Sequence, residues 1–350
     1  MQCRPMNTDN DEDTEFRVWV DRLPKVELHL HLEGAIPHDA LWVLIEKYGG
    51  DPMVPDRAAL PGKFRYRNFP HFIETWIWKN GFLRGYEDFT AIAAAMAHDL
   101  AAQNVRYAEV FFSPSRFAHH KLTPQQLALA IRAGLDQIAG IEVQLIADLV
   151  RDHGPDETAR TLAAVTEVRG PAGIVGIGIG GSEHSCPPEP FAPVYAQARD
   201  LGYRTTAHAG EAAGADSIRG AVEALGVERI GHGTRAHEDP GLVALLAERQ
   251  IPLEVCPLSN VATGVVPEIA AHPVRRYWDQ GLRLTINTDD PHMFNNSLAD
   301  EFSALHRHFG FTPDEIRTLV LNAVEAAWLP EARRAALRDS LIADPAWHAH

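Results

Sequence analysis

Short apolar or β-branched runs alternate with longer amphipathic stretches along most of the chain. Side chains alternate between two faces in a strand and recur every three or four positions in a helix, so this rhythm predicts repeated βα units. The predicted strands cover residues 26–31, 105–112, 141–148, 174–179, 204–208, 229–232, 252–256 and 283–287. Helix-like stretches lie at residues 124–138, 156–168, 190–201, 215–225 and 240–249. Strands and helices in this alternation predict an α/β fold, the (β/α)8 TIM barrel.

The connection after the first predicted strand is much longer than the others. It runs over about residues 33–104 and carries helix signals near residues 39–48 and 86–102. An insertion of this kind lies at the mouth of a barrel and can form a lid. Its aromatic residues include Phe69, Phe72, Trp76, Trp78, Phe82 and Phe89. We expect these rings to pack the insertion helices against the barrel wall rather than to cover a ligand.

The first residues differ from the rest in composition. Residues 1–14 combine acidic side chains with Asn and Thr and offer little apolar surface to bury, which predicts a disordered acidic tail. Residues 15–350 contain no linker or low-complexity tract. We therefore expect one catalytic barrel domain over residues 15–350, with the helical insertion as part of it.

Composition and charge exclude several classes of partner. The chain has 350 residues, of which 45% are hydrophobic and 23% charged, as in ordinary globular proteins. Its formal net charge of −15 repels phosphate backbones and anionic lipids, which argues against nucleic-acid and membrane partners. The three cysteines lack the spacing of a disulfide framework or a thiolate metal cage. Without a secretory signal pattern or a long apolar run, a cytoplasmic protein is expected, as a monomer or a homo-oligomer.

Polar side chains gather where the predicted strands end, which is where the active sites of TIM barrels lie. These residues are His29 and His31, which close strand one, His208, which ends strand five, with Glu211 just beyond it, His232, which ends strand six, and Asp289 and Asp290, which follow strand eight. Because the strand ends of a barrel meet at one mouth, we expect these side chains to share a single site.

Four of these residues suit a metal ion. His29 and His31 are two residues apart, so on a strand both imidazoles point to the same face, here toward the barrel axis. With His208 and Asp289 they offer three nitrogen ligands and one oxygen ligand, a set that fits zinc and leaves room for an activated water. Residues 176–181 contain no lysine or carboxylate that could bridge a second metal. We therefore expect one Zn²⁺ per chain.

The other polar residues suit acid–base work. Glu211 follows His208 by three positions, and Gly210 permits a turn that aims its carboxyl group over the metal as a general acid. His232 stands between two glycines and could orient or deprotonate the attacking water. Asp289 and Asp290 are adjacent and point in different directions, so one can bind the metal while the other faces the substrate.

Five segments, in this order and spacing, carry a family resemblance. They are Pro-Lys-Val-Glu-Leu-His-Leu-His-Leu-Glu-Gly-Ala at 24–35, His-Ala-Gly-Glu at 208–211, Gly-His-Gly at 231–233, Cys-Pro-Leu-Ser-Asn at 256–260 and Asn-Thr-Asp-Asp-Pro at 287–291. Over about residues 24–340 the chain resembles the adenosine deaminases of the amidohydrolase superfamily. The resemblance implies a metal-dependent TIM barrel of the amidohydrolase type, in which water adds to C6 of a 6-aminopurine and ammonia leaves.

The resemblance also implies a role for each matching residue. The residues that would bind zinc are His29, His31, His208 and Asp289. The residues that would act in catalysis are Glu211, which protonates purine N1, and His232 and Asp290, which work on the attacking hydroxide. The residues that would contact the purine substrate are His31, Glu33, Gly181 and Asp290, with the backbone amide of Gly181 at purine N3.

Two departures from the family pattern bear on the substrate. Where this chain has Glu33, adenosine enzymes usually carry an Asp that contacts the ribose 5′-hydroxyl, and the adenine deaminases resemble this chain. Adenosine enzymes also tend to carry an acidic run of which residues 178–183 keep only part. Residues 233–235, 261–264 and 287–290 instead resemble the nucleoside enzymes. We therefore place adenosine and 2′-deoxyadenosine first, in purine salvage. The alternatives are adenine, a modified nucleoside such as aminodeoxyfutalosine, and, in another reaction class, an amide substrate.

Overall fold

In the computed structural model, which describes residues 8–67 and 69–350, parallel strands form one eight-stranded sheet in chain order. The strands are β1 (Lys25–His31), β2 (Val105–Phe112), β3 (Glu142–Asp148), β4 (Ile174–Gly178), β5 (Arg204–Ala209), β6 (Arg229–His232), β7 (Leu253–Val255) and β8 (Leu284–Ile286). Each strand pairs in parallel with the next. Every predicted strand is confirmed, with ends that differ by at most one residue.

Hydrogen bonds between the end of β8 and β1 close the sheet into a barrel. The N–H of Asp289 donates to the carbonyl oxygen of His29 at 3.1 Å, and the N–H of His31 donates to the carbonyl oxygen of Asp289 at 2.9 Å. Next to them, the side-chain oxygen of Asn287 accepts from the N–H of Leu28 at 2.8 Å. The predicted TIM barrel is confirmed.

Helices surround the strands. They are α1 (Thr8–Arg22), α2 (His38–Lys47), α3 (Phe69–Asn80), α4 (Tyr86–Ala102), α5 (Pro124–Leu135), α6 (Gly154–Thr166), α7 (Arg169–Ala172), α8 (Ala192–Asp200), α9 (Ala215–Gly220), α10 (Pro240–Arg249), α11 (Pro257–Ala262), α12 (Val274–Asp279), α13 (Pro291–Phe294), α14 (Leu298–Phe309), α15 (Pro313–Ala326) and α16 (Glu331–Ile342). The predicted helices correspond to α5, α6, α8, α9 and α10, and α9 continues into a π-helical turn, Ala221–Leu225. Within the described ranges, no helix has the length and apolarity that a membrane span requires.

The insertion after β1 is helical, as expected. It contains α2, a 3₁₀ segment at Arg57–Phe64, α3 and α4. The helix signals near residues 39–48 and 86–102 correspond to α2 and α4, whereas α3 was not anticipated. This helix carries four of the six aromatic residues named above and lies at the mouth of the barrel, where it lines the cavity described below.

The predicted tail over residues 1–14 is wrong for residues 8–14, which form the first half of α1. This helix docks on α14: Phe16 is 1% exposed and stacks on His306 with ring centroids 3.9 Å apart. Asp13 forms an ion pair with Arg307 at 3.0 Å. Tertiary contacts of this kind stabilise a helix that local composition alone does not predict. Residues 1–7 lie outside the described residues.

A buried ionic network crosses the interior of the barrel. The guanidinium group of Arg229 lies 2.7 Å from the carboxylate of Glu109 in β2 and 2.6 Å from that of Glu254 in β7. All three side chains are at most 1% exposed. The guanidinium also lies over the ring of Trp328, 3.6 Å from its centroid. One arginine therefore compensates two carboxylates that water does not reach.

Replacing Arg229 by methionine should destabilise the fold strongly. The Arg229→Met variant leaves Glu109 and Glu254 buried without a cation, and breaking such a pair costs about 3–5 kcal/mol in the free energy of unfolding. Urea denaturation followed by circular dichroism measures the loss. The matched control is Arg204→Met, which removes a partly exposed pair with Glu228 and should cost less than about 1 kcal/mol. Equal losses in the two variants would contradict this assignment.

Candidate active site

Four side chains converge at the carboxyl ends of β1, β5 and β8. They are the four predicted metal ligands, His29, His31, His208 and Asp289. Nε2 of His208 lies 3.1 Å from Nε2 of His29 and 3.0 Å from Nε2 of His31. Oδ1 of Asp289 lies 3.6 Å and 3.3 Å from the same two nitrogens of His29 and His31. The structure therefore brings all four together.

These separations suit four ligands of a single metal ion. With metal–ligand distances of about 2.0–2.2 Å, ligand atoms on one ion lie about 2.8–3.6 Å apart, which covers the separations observed. Burial, followed by the neighbouring imidazoles, lowers the pKa of His29 and of His208 well below the usual value. Both rings are therefore neutral near pH 7 and offer a lone pair. The residues present fit a divalent metal ion.

Glu254 orients the first of these ligands. Its Oε2 lies 2.8 Å from Nδ1 of His29, while its Oε1 accepts a hydrogen bond from Nε of Arg229 at 2.6 Å. A carboxylate at Nδ1 keeps the ring proton there and leaves Nε2 free for a metal. Our sequence analysis missed this residue. The available signal was an acidic side chain between Leu253 and Val255 in an otherwise apolar strand.

Ser259 fixes the carboxylate ligand in a similar way. Its hydroxyl, near the start of α11, donates to Oδ2 of Asp289 at 2.6 Å. The other oxygen, Oδ1, is the one that approaches His29 and His31. The segment 256–260 contributed to the family resemblance, but no role for Ser259 was inferred from it.

The loop that carries Glu211 is held by another carboxylate. Glu183 is 3% exposed and accepts hydrogen bonds from consecutive backbone N–H groups, those of Gly210 at 2.5 Å, Glu211 at 3.1 Å, Ala212 at 2.7 Å and Ala213 at 3.0 Å. Gly210 has a left-handed backbone, with φ of +74°, as a tight turn requires. Burial raises the pKa of Glu211, which favours its protonated form.

His232 ends β6 and faces Glu211 across the site. Its Nε2 lies 3.6 Å from Oε2 of Glu211 and has no hydrogen-bond partner among the described residues. On the other side of the ring, Nδ1 lies 3.2 Å from the side-chain nitrogen of Asn260. The ring is 1% exposed and lines the pocket.

Asp290 and Glu33 occupy different positions relative to the pocket. Asp290 lines it, and burial together with the charge of Asp289 raises the pKa of its carboxyl group to about 7. Glu33 is 1% exposed and is not among the described residues that line the cavity. Its carboxylate accepts from the backbone N–H of Ser113 at 3.0 Å. Next to its backbone oxygen lies the ammonium group of Lys79, whose pKa burial lowers to about 8.

A cavity of about 340 Å³ adjoins the metal ligands. Gly181, three residues after β4, lines it, as do Phe72 and Trp76 of α3. Like Trp78, Phe82 and Phe89, these two rings also pack into or against the apolar core, as expected for the insertion aromatics. The side chain of Phe69 lies outside the described part.

Asp148 was not identified from the sequence, although it ends β3 as His31 ends β1. Its carboxylate lines the cavity and is 3% exposed. Oδ2 accepts from the hydroxyl of Ser113 at 2.8 Å, and Oδ1 accepts from the N–H of Gly180 at 2.7 Å. A Cβ placed on Gly180 would lie 3.3 Å from Oδ2, so this carboxylate lies directly beside the backbone that leads to Gly181.

Comparison with known proteins agrees with this geometry. The family model described as adenosine deaminase matches residues 24–344. The chain belongs to the adenosine deaminase family. It is therefore a hydrolase of the C–N bond in a cyclic amidine, and its family and relatives identify it as a 6-aminopurine deaminase.

Three relatives each cover more than 90% of this chain. An adenine deaminase of Rhodospirillum rubrum is 35% identical over 329 residues, covering 92% of this chain and 96% of that protein. The crystal structure of an adenine deaminase from Arthrobacter aurescens superposes with a TM-score of 0.85, at 32% identity and covering 91% of this chain and 98% of that one. An amidohydrolase from Burkhoderia ambifaria with bound zinc superposes with a TM-score of 0.84, at 30% identity and covering 97% of this chain and 93% of that one.

These relatives change the order of the expected substrates. Adenosine, which the sequence analysis placed first, is not confirmed, because the relatives that match most of the chain are named adenine deaminases. Adenine, the alternative, is better supported. The segments at 233–235, 261–264 and 287–290 did not discriminate between the two branches.

Removing the negative charge of Glu254 should weaken metal binding without removing a ligand. In Glu254→Gln the amide no longer holds the proton on Nδ1 of His29 as firmly, so metal affinity should fall about 10- to 100-fold. Metal retained against a graded chelator, measured by elemental analysis, reports this. The control is Glu211→Gln, which should retain metal normally while turnover falls by several powers of ten. Normal metal retention in Glu254→Gln would contradict the role given to Glu254.

Proposed function

We propose that the protein is an adenine deaminase, which converts adenine and water to hypoxanthine and ammonia. The observation that carries this proposal is the similarity of nearly the whole chain to adenine deaminases from Rhodospirillum rubrum and Arthrobacter aurescens. The joint placement of the metal ligands, Glu211 and a purine-sized cavity in one mouth supports the chemistry.

The position of Asp148 supports the free base over the nucleoside. In the proposed pose the N–H of Gly181 contacts purine N3, and N9 is bonded to the same ring carbon as N3. The carboxylate of Asp148 lies beside Gly180 and faces the cavity, so it can accept the N9–H of adenine. Adenosine has no hydrogen at N9 and carries its sugar there. A buried carboxylate at this edge therefore favours adenine.

The metal proposed for this site is Zn²⁺, one ion per chain, held by His29, His31, His208 and Asp289. The zinc bound in the Burkhoderia ambifaria relative supports this choice. When bound, zinc lowers the pKa of a coordinated water and so supplies a nucleophile at neutral pH.

Glu211 supplies the proton that makes C6 reactive. Its carboxyl group, kept protonated more readily by burial, donates to N1 as the water oxygen bonds to C6. A neighbouring carboxylate at the mouth takes the proton that the water releases, and this proton returns to Glu211 before the next turnover. The C6–N bond then breaks, the amino group leaves as ammonia with a proton from the new C6 hydroxyl, and C6 becomes the carbonyl carbon of hypoxanthine.

The remaining residues would bind and orient the base. We propose that His31 and Asp290 flank the reacting C6, where both line the cavity, and that Gly181 binds N3. Glu33 would act through Ser113: it holds the backbone of Ser113, whose hydroxyl in turn holds Asp148. In this arrangement Glu33 fixes the N9 edge of the pocket without touching the substrate.

Substrate preference tests the proposed function directly. Ammonia release from the zinc-loaded protein, compared as kcat/KM, should be much higher with adenine than with adenosine, 2′-deoxyadenosine or an aminodeoxyfutalosine-type nucleoside. A preference for any nucleoside would mean that the pocket holds a ribose and that adenine is the wrong substrate. No ammonia from any of the four, with activity on a simple amide, would favour an amide hydrolase instead.

The contact between Asp148 and N9–H can be isolated by pairing a variant with an altered substrate. In Asp148→Asn the amide oxygen can still accept from Gly180, but an N–H group then faces N9–H, and an unmade buried hydrogen bond costs about 1–3 kcal/mol. The kcat/KM for adenine should therefore fall about 10- to 100-fold. With 9-methyladenine, which has no N9–H, the variant and the parent protein should differ little. Equal losses on both substrates would show that Asp148 does not read this position.

A further inference from the structure

The two ring nitrogens of His232 have different surroundings. Nδ1 lies 3.2 Å from the side-chain nitrogen of Asn260, and Nε2 faces the pocket beside Glu211. A neutral imidazole carries one proton, so the nitrogen that carries it decides whether His232 offers the pocket a donor or an acceptor. The hydrogen bonds of the neighbouring groups assign the proton of His232. They also assign the oxygen and nitrogen ends of the Asn260 amide.

His272 accepts a hydrogen bond from a main-chain N–H group. A main-chain N–H can only donate, and that of Val274, the first residue of α12, donates to Nδ1 of His272 at 3.1 Å. Nδ1 of His272 therefore carries no proton. Burial lowers the pKa of this imidazole to about 3, so the ring is neutral. Its one proton must lie on Nε2.

That proton assigns the amide of Asn260. Nε2 of His272 lies 3.1 Å from one end of the amide, which must accept and is therefore Oδ1. The hydroxyl of Thr234 lies 2.6 Å from the same atom, a distance typical of O–H···O and short for N–H···O. Two independent neighbours place the oxygen on this side. The NH₂ group consequently faces Nδ1 of His232 and donates to it.

We propose that Asn260 and His272 are positioning residues that hold His232 in the tautomer with its proton on Nε2, so that His232 donates a hydrogen bond into the pocket. All three side chains are at most 4% exposed, which shields the relay from water. The catalytic consequence rests on the proposed function: His232 holds the attacking oxygen by donation and does not take its proton. That proton goes to a carboxylate at the mouth, Asp289 or Asp290.

Nitrogen-15 NMR of the zinc-loaded protein reads the tautomer without substrate. The chain has 18 histidines, and the signals of His232 are identified by their loss in His232→Gln. The chemical shifts of a ring distinguish its protonated nitrogen from its bare one. We expect the proton of His232 on Nε2 and that of His272 also on Nε2. A proton on Nδ1 of His232 would overturn the proposal.

The Asn260→Asp variant replaces the amide that donates to Nδ1 of His232 by a carboxylate of almost the same shape. A carboxylate cannot donate, so it accepts from Nδ1 of His232, and the proton moves from Nε2 to Nδ1. We expect kcat to fall about 100-fold, with little change in KM or zinc content. An unchanged tautomer in this variant would overturn the proposal, because a merely structural Asn260 would not control the proton.

Two variants at His272 test the hydrogen bond from His272 to the amide oxygen of Asn260. His272→Gln retains an N–H that can donate to Oδ1 of Asn260, so the tautomer of His232 should persist. His272→Glu offers only acceptors, which should turn the amide of Asn260 around and shift the proton to Nδ1. Identical tautomers in the two variants would overturn the relay. A protein that shows the expected tautomers but no activity on adenine would refute the proposed function and leave the relay intact.

Discussion

Closure of the barrel between β8 and β1 holds the candidate active site together, because the same residues do both. The backbone of Asp289 bonds to the backbones of His29 and His31, and the side chains of these three residues are candidate metal ligands. A slip of one residue in this register would turn both histidines away from the barrel axis. The side chain of Asn287 pins the register one step earlier, at Leu28. Metal geometry and barrel closure therefore depend on one set of hydrogen bonds.

Two site residues have strained backbones for a recognisable reason. His232 and Asp289 have φ of +63° and +66°, a left-handed region that costs a non-glycine residue about 1–3 kcal/mol. At Asp289 this conformation breaks the alternation of a strand, so that Asp289 and Asp290 both reach the pocket. The hydrogen bonds that close the barrel hold Asp289 in place. The strain is thus compensated by the same contacts that build the site.

The sequence predicted what depends on local period and on strand ends. All eight strands and the four candidate metal ligands follow from alternation and from polar residues at the barrel mouth, since those signals lie within a few consecutive positions. Glu254, Glu183 and Asn260 were missed because each acts on a residue far away in the chain. Asp148 is a different case, because it ends a predicted strand and the same rule would have found it.

The helical residues 8–14 were missed because local composition does not show the tertiary contacts that stabilise them. Their composition is polar, and the helix exists because Phe16 and Asp13 find partners on α14, nearly three hundred positions away. The order of the expected substrates depended on whole segments compared with two family branches. In the proposed pose the carboxylate that would accept from N9–H belongs to Asp148, which lies in none of those segments.

In the proposed function, the mouth divides into a half that performs the chemistry and a half that recognises the base. The ends of β1, β5, β6 and β8 carry the metal ligands, Glu211 and His232, while the recognition half comprises Ser113 after β2, Asp148 at the end of β3, Gly181 after β4 and the rings of α3. The two halves are joined through Glu33, which follows the metal-binding strand β1 and holds Ser113. Because the recognising groups belong to other strands, they can change without moving a metal ligand. Glu33 differs from these groups because it follows β1, which carries candidate metal ligands. A change at Glu33 would still alter the recognition half, because Glu33 holds Ser113.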